Sequence, residues 1–204
     1  AIVLFAGLLN ACRVLGKDIH SLRIVVNGAG AAGIAIAKML VDYKSEIRTG
    51  VRDVIVCDSR GIISDARNDL PEMKQSLVSI TNRDKRTGGL QEALEEADVF
   101  IGVSVADVLT KEMIKRMAAQ PVIFALANPD PEIDPDVARA AGASIVATGR
   151  SDYPNQVNNV LAFPGIFHGA LTVRAPRIID AMKYEAARAL ASLVATPTLE
   201  KILP

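Results

Sequence analysis

The sequence predicts an α/β fold: a doubly wound parallel sheet of Rossmann type with flanking helices and a long C-terminal helix. Three observations carry this. Short, continuously apolar runs rich in β-branched residues alternate with helical patterns along the chain. The first such run passes directly into Gly28-Ala29-Gly30-Ala31-Ala32-Gly33, which then opens a helix. Hydrophobic residues make up 50% of the 204 residues while aromatics make up 4%, with no Trp, so the core is aliphatic and large enough for one domain.

The elements follow in order. AIVLFAGLLNACRVLG at the start reads as a buried helix stopped by Gly16. It has no basic leader and is too short to span a bilayer. With no initiator Met, the chain is expected to be cut from something longer. RIVVNG, residues 23–28, is the first strand, and residues 31–43 form the helix after the glycines. DVIVCD (53–58) is the second strand. Helical patterns occupy 71–80 and 90–97, with RDKRTGG (83–89) an exposed loop between them. DVFI (98–101), PVIFAL (121–126) and SIVA (144–147) are the remaining strands, separated by helices over 109–119 and 135–141. Strands without polar alternation suit a sheet covered on both faces. From Pro176 onward a long amphipathic helix carries Ile179, Met182, Ala186 and Leu190 on one stripe. The tail TPTLEKILP has no sheet element left to cover and is expected to pack on another domain or subunit.

Lys plus Arg total 23 and Asp plus Glu total 23. This balance argues against nucleic acid or an anionic membrane as the main partner. Cys12 and Cys57 have no metal-like or paired spacing, so they read as buried free thiols of a reducing, cytoplasmic compartment.

The glycine turn is the first motif with chemistry. Gly28 permits the tight turn, Gly30 lets a pyrophosphate approach bare backbone, and Gly33 lets the helix lie close to the strand. Ala31 and Ala32 sit at the helix N-terminus, where unpaired N–H groups face the anion. No GK[ST] follows, which disfavours a nucleoside-triphosphate loop. Asp58, 25 positions after Gly33, ends the second strand where an acid holds the adenosine ribose hydroxyls, favouring NAD. Arg60 could instead accept the extra phosphate of NADP, and DSRG could be only a turn capped by Asp58.

Ligands of open parallel sheets gather at the carboxyl ends of strands. That rule places Ser104, Asn128, the 148–152 loop and the pair Asn158–Asn159 on the same rim as the glycines. SDYPNQVNNVLAFPG sets neutral amides against an apolar run. Such amides need partners, supplied either by the protein or by a guest. Asparagine donates to carboxylate oxygen and accepts from hydroxyl.

NGAGAAG, VCDSRG, ADVFIGVS, FALANPDPEI and SDYPNQVNNVLAFPG together resemble the nicotinamide-binding domain of bacterial-type malic enzymes, in order and over nearly the whole chain. The last two segments are more specific than the glycines. The resemblance implies oxidative decarboxylation of L-malate to pyruvate and carbon dioxide with NAD or NADP, assisted by Mg²⁺ or Mn²⁺, in a cytoplasmic homo-oligomer such as a dimer. It implies that Gly28, Gly30, Ala31, Ala32 and Gly33 cradle the pyrophosphate, that Asp58 and Ser59 meet the adenosine ribose, and that Ser104 lines the nicotinamide side. Asn128, Asn158 and Asn159 would bind substrate, Asn128 and Asn158 also touching the cofactor. The family's acid and base, a Tyr and a Lys, and its metal carboxylates belong to an upstream catalytic domain. Tyr153, Tyr184, Lys111 and Lys183 do not sit in matching motifs, so this segment alone is expected to be inactive, with no metal site.

Other groups have plainer readings. His168 stands without acidic or cysteine partners. Asp130, Glu132, Asp134 and Asp136 read as helix-start acids rather than a metal cluster. Arg174 and Arg177 read as surface charges, and Asn155 as an Asx turn. Two other function classes share this pattern: a different NAD(P)-dependent dehydrogenase, of amino-acid or shikimate type, and a non-enzymatic nucleotide-binding module. Turnover of malate separates both from the first reading.

Overall fold

The computed structural model describes residues 1–43 and 49–204. A six-stranded sheet runs in the order β3-β2-β1-β4-β5-β6. Its strands are β1 (Arg23–Asn27), β2 (Asp53–Asp58), β3 (Gly61–Ile62), β4 (Val99–Gly102), β5 (Val122–Ala125) and β6 (Ile145–Thr148). All pairings are parallel except β2 with β3. The chain first winds outward from β1 to β2, then returns across β1 to β4. The order therefore reverses between β1 and β4, the position where open α/β sheets leave a crevice.

The apolar strands feed two cores. Ile24, Val26, Val54, Val56, Ile101 and Phe124 point to one face, covered by α1 (Ile2–Leu15), α2 (Ala31–Asp42) and α8 (Asp180–Ser192). Val25, Ile55, Phe100, Ile123 and Val146 point to the other, covered by α4 (Leu90–Leu94), α5 (Lys111–Lys115) and α6 (Pro135–Ala140). Period-two alternation thus persists inside runs that look uniformly apolar. Gly16 ends α1 in the left-handed region at φ 64°. Asp134 caps α6, accepting from the N–H groups of Asp136 and Val137.

Four features depart from the sequence reading. The edge strand β3 was not expected; it is two residues long and turns back from β2 through Ser59 and Arg60. A helix α7 (Phe163–Thr172) covers FPGIFHGALT. Its Pro164 is at the second helical position, where the missing N–H costs nothing. The C-terminal helix is shorter than expected, and Ala187, Leu190 and Ala191 form its buried face while Ile179 is exposed. The tail packs on its own chain: Ile202 is 0% exposed, and its carbonyl accepts from buried Asn10. Among the described residues, no helix is long and apolar enough to cross a membrane.

Candidate cofactor and substrate cleft

The glycine turn is built by close packing. Gly28 has φ 117°, and a Cβ there would meet the Val103 carbonyl oxygen at 2.6 Å. A Cβ on Gly33 would lie 1.8 Å from the Gly28 carbonyl oxygen. Gly30 differs: a Cβ there meets nothing within 4 Å. The outer residue of the turn therefore faces open space, and Ala31 and Ala32 beside it are exposed at the start of α2. That is a cradle shaped for a bulky anion on bare backbone.

On one side of this turn a cleft of about 510 Å³ is lined by Ala32, Val103, Ser104, Asn128, Asn158 and Asn159, among others. The residues expected on one rim from four separate segments meet there. The Ser104 hydroxyl accepts from Asn27 Nδ2 at 2.9 Å, tying the end of β1 to the loop after β4. Asn158 Oδ1 accepts from the Val160 N–H at 3.1 Å, capping the 3₁₀ turn Asn159–Leu161. Asn128 and Asn159 are exposed, and their side-chain amides bond to no described residue.

The amide cluster therefore divides. Asn155, 7% exposed, donates from Nδ2 to the carbonyls of Val146 and Leu199, and its Oδ1 accepts from the Ile202 N–H. These bonds pin the tail to β6 rather than closing the expected Asx turn, so the role of Asn155 is structural. Gln156 Nε2 donates to the Gly149 carbonyl at 3.3 Å. Asn158 and Asn159 alone turn toward the cleft.

On the other side of the turn lies Asp58, next to Gly28 through the Gly28 N–H to Cys57 carbonyl bond of 2.9 Å. Its carboxylate is fully occupied. Oδ1 accepts from the Arg60 N–H and from Arg67 Nη1 at 2.8 Å, while Oδ2 accepts from Lys74 Nζ at 2.5 Å and from Arg67 Nη2 at 3.4 Å. Burial raises its pKa, but the bonds from Arg67, Lys74 and the Arg60 N–H outweigh burial and hold it near 2. Arg60 and Arg67 also pair with Asp69. Ser59 is exposed beside this cluster. The free acceptor that would favour NAD is thus already in use, by two cations that sequence reading did not single out.

Most of the remaining candidates fall where their plain readings put them. Cys12 and Cys57 are both free, but only Cys57 is buried while Cys12 is half-buried; burial pushes both thiols up to about 12. His168 is exposed on α7, and Arg174 and Arg177 are exposed. Among the acids, Asp134 and Asp136 do serve the start of α6, but Glu132 does not: it is 0% exposed and bonds to the cleft loops. A clue to this was its place between apolar Pro131 and Ile133, ahead of the cap. Among the described residues no group of three His, Cys, Asp or Glu side chains could hold a metal ion. A second hollow of about 660 Å³ lies between α2, α7 and α8, lined by apolar groups including Ile34, Met39, Phe163 and Phe167. Lys38, Lys183 and Asn159 also border it, but the smaller, more polar cleft stands at the carboxyl ends of β4 and β5 beside the glycine turn, which makes it the better site.

The family model described as malic enzyme, NAD binding domain, matches residues 1–204. The chain is 56% identical over 200 residues to the bifunctional malic/malolactic enzyme of Bacillus subtilis, covering 98% of this chain and 47% of that protein. It is 46% identical over 201 residues to the NAD-dependent malic enzyme of Geobacillus stearothermophilus, covering 98% and 41% respectively. The crystal structure of the NAD-dependent malic enzyme from Thermotoga maritima superposes with a TM-score of 0.92 at 48% identity, covering 100% of this chain and 52% of that one. The chain spans between a quarter and just under half the length of the curated relatives it matches. With the glycine turn, the strand order and the whole-chain match in agreement, the chain belongs to the malic enzyme family, as its NAD-binding domain.

Proposed function

We propose that this chain is the cofactor-binding part of an enzyme that oxidises L-malate with NAD or NADP and decarboxylates the product to pyruvate and carbon dioxide. The observation that carries the reading is the convergence of Ser104, Asn128, Asn158 and Asn159 on one cleft beside the glycine turn. The dinucleotide fits the cradle, since the space at Gly30 is open while Gly28 and Gly33 are closed by backbone. The backbone of residues 28–33 and the α2 N-terminus receive the pyrophosphate. When bound, the nicotinamide supplies the acceptor for the hydride leaving malate C2. Asn128 and Asn159 donate to carboxylate oxygens and orient that carbon, with Asn158 closer to the cofactor. The hydroxyl proton and the proton returned to C3 after the C3–C4 bond breaks need a base and an acid from an upstream catalytic domain. The divalent ion that the resemblance implies finds no donor set among the described residues, so no step here runs through it.

The choice of cofactor follows from Asp58. With four donors on two oxygens it has no lone pair left for ribose hydroxyls, and its charge is offset by Arg67 and Lys74. Repulsion of a 2′-phosphate is weakened, and Arg60, 71% exposed at the side chain and paired with Asp69, can exchange that partner for the phosphate. This favours NADP over the NAD preference that the acid alone suggests. The balanced net charge and the free thiols suit a reducing cytoplasm, and the family suggests a homo-oligomer.

Steady-state assay of the full-length protein with malate, Mn²⁺ and each cofactor tests the reading. Pyruvate and reduced cofactor formed in equal amounts support it. Reduction with an amino acid or shikimate-type substrate instead, or cofactor binding with no turnover of malate, refutes it.

A further inference from the structure

Glu132 is 0% exposed and forms no ion pair among the described residues. Each carboxylate oxygen takes one main-chain bond. The Ser104 N–H donates to Oε1 at 3.0 Å, and the Ala127 N–H donates to Oε2 at 3.0 Å. These amides belong to the loops after β4 and β5, the two loops that bring Ser104 and Asn128 to the cleft. The backbone of Glu132 is itself held, because the Leu109 N–H donates to its carbonyl at 3.0 Å. Room for the carboxylate exists only because residue 102 is glycine: a Cβ there would lie 2.2 Å from Glu132 Cδ. A carboxylate taken out of water is tolerated only where donors satisfy it, and here both donors are cleft-loop amides.

We propose that Glu132 is a positioning residue: its carboxylate clamps the β4 and β5 loops at a fixed separation, so that Ser104 and Asn128 present the nicotinamide and substrate walls together. The inference rests on the dinucleotide reading above. Glutamine in its place keeps one acceptor and gains an NH₂ group. It cannot accept from both amides, and one loop is left with a donor facing a donor. ADP-ribose reaches the glycine turn and the Asp58 side but has no nicotinamide ring to meet those walls. Loss of the clamp therefore weakens the dinucleotide selectively, whereas general destabilisation weakens both ligands.

The test is calorimetric titration of the full-length protein with NAD or NADP, whichever binds more tightly, and with ADP-ribose or its 2′-phosphate to match. For Glu132→Gln, dinucleotide affinity falls about tenfold or more, as misplaced walls imply, while the ADP-ribose ligand binds within about twofold of wild type, since its contacts lie elsewhere. Equal loss for both ligands, or no loss for either, overturns the clamp. Amide exchange on the wild type tests the same claim without a variant. The Ser104 and Ala127 amides exchange as slowly as those inside β4; exchange at the rate of an open loop overturns the proposal even if Glu132→Gln fails to fold. If the wild type binds neither ligand, the dinucleotide reading itself falls, a result in which Glu132 plays no part.

Discussion

Gly30 and Gly33 lie three residues apart in one turn, yet an added methyl group does opposite things at each. At Gly33 the new Cβ would stand 1.8 Å from the Gly28 carbonyl oxygen and 3.0 Å from its carbon. Both obstacles are backbone, so the turn must open or α2 must lift from β1. Overpacking of this kind costs about 3 kcal/mol or more. At Gly30 the backbone is extended, φ −86° and ψ −170°, which any L-residue adopts, and nothing lies within 4 Å. Alanine is a poorer N-cap than glycine, but it lowers the entropy of the unfolded chain; the two terms nearly cancel, leaving stability within about 0.5 kcal/mol. The methyl group nevertheless fills the space through which the pyrophosphate approaches. A crowding cost of about 1–3 kcal/mol weakens binding roughly 5- to 150-fold. The assay pairs urea denaturation with calorimetric titration of NAD and NADP into the full-length protein. Gly30→Ala keeps its denaturation midpoint and loses affinity; Gly33→Ala loses stability. A Gly30→Ala protein with wild-type affinity, or a Gly33→Ala protein as stable as wild type, refutes the assignment of the turn.

Three further outcomes follow from the same geometry. Asp58 has its pKa lowered from 3.8 to about 2, so its ion pairs stabilise the fold fully above pH 4 and lose that contribution as the pH falls toward 2; the drop corresponds to about 2 kcal/mol, absent in Asp58→Asn, as denaturation curves across this range will show. Lys74→Gln removes one of the two cations on Asp58, and the ratio of kcat/KM for NADP to that for NAD falls about tenfold; an unchanged ratio means that the cluster does not read the 2′-phosphate. Asn159→Ala in the full-length enzyme loses about 1.5–3 kcal/mol of hydrogen bonding to a charged group, seen as a higher KM for malate with cofactor affinity retained. Wild-type kinetics for that variant exclude a substrate role.

The parts of the fold that were legible are those whose cause is local. β1 carries three β-branched apolar residues in a row and the glycines follow its Asn27 at once, so strand, turn and helix are legible in one stretch. Asp53–Asp58 matches its expected bounds because charged residues and a turn enclose it. β3 was hidden because two residues carry no periodicity. α7 was hidden because Pro164, Gly165 and Gly169 look like breakers, although the proline sits in the first turn. The packing of the tail is not legible because its partners are remote: Asn155 reaches Ile202 across 47 positions and Asn10 reaches it across 192.

The site divides in the same way. The strand-end rule points to Ser104, Asn128 and the Asn158–Asn159 pair, and these line one cleft with Ala32 of the glycine turn. The state of Asp58 does not follow, since Arg67 and Lys74 stand 9 and 16 positions on and arrive through a turn and the short helix α3 (Glu72–Val78). Glu132 was hidden among acids that share its charge but not its burial.

The most direct test is a crystal structure of the full-length protein with NADP and a malate analogue. Density is predicted to run from the Arg60–Arg67–Lys74 cluster, across the backbone of residues 28–33, into the cleft of Ser104 and Asn128, with the diacid against Asn159. A dinucleotide seated in the apolar hollow between α2 and α7, or an Asn158–Asn159 pair turned from the ligand, contradicts the account.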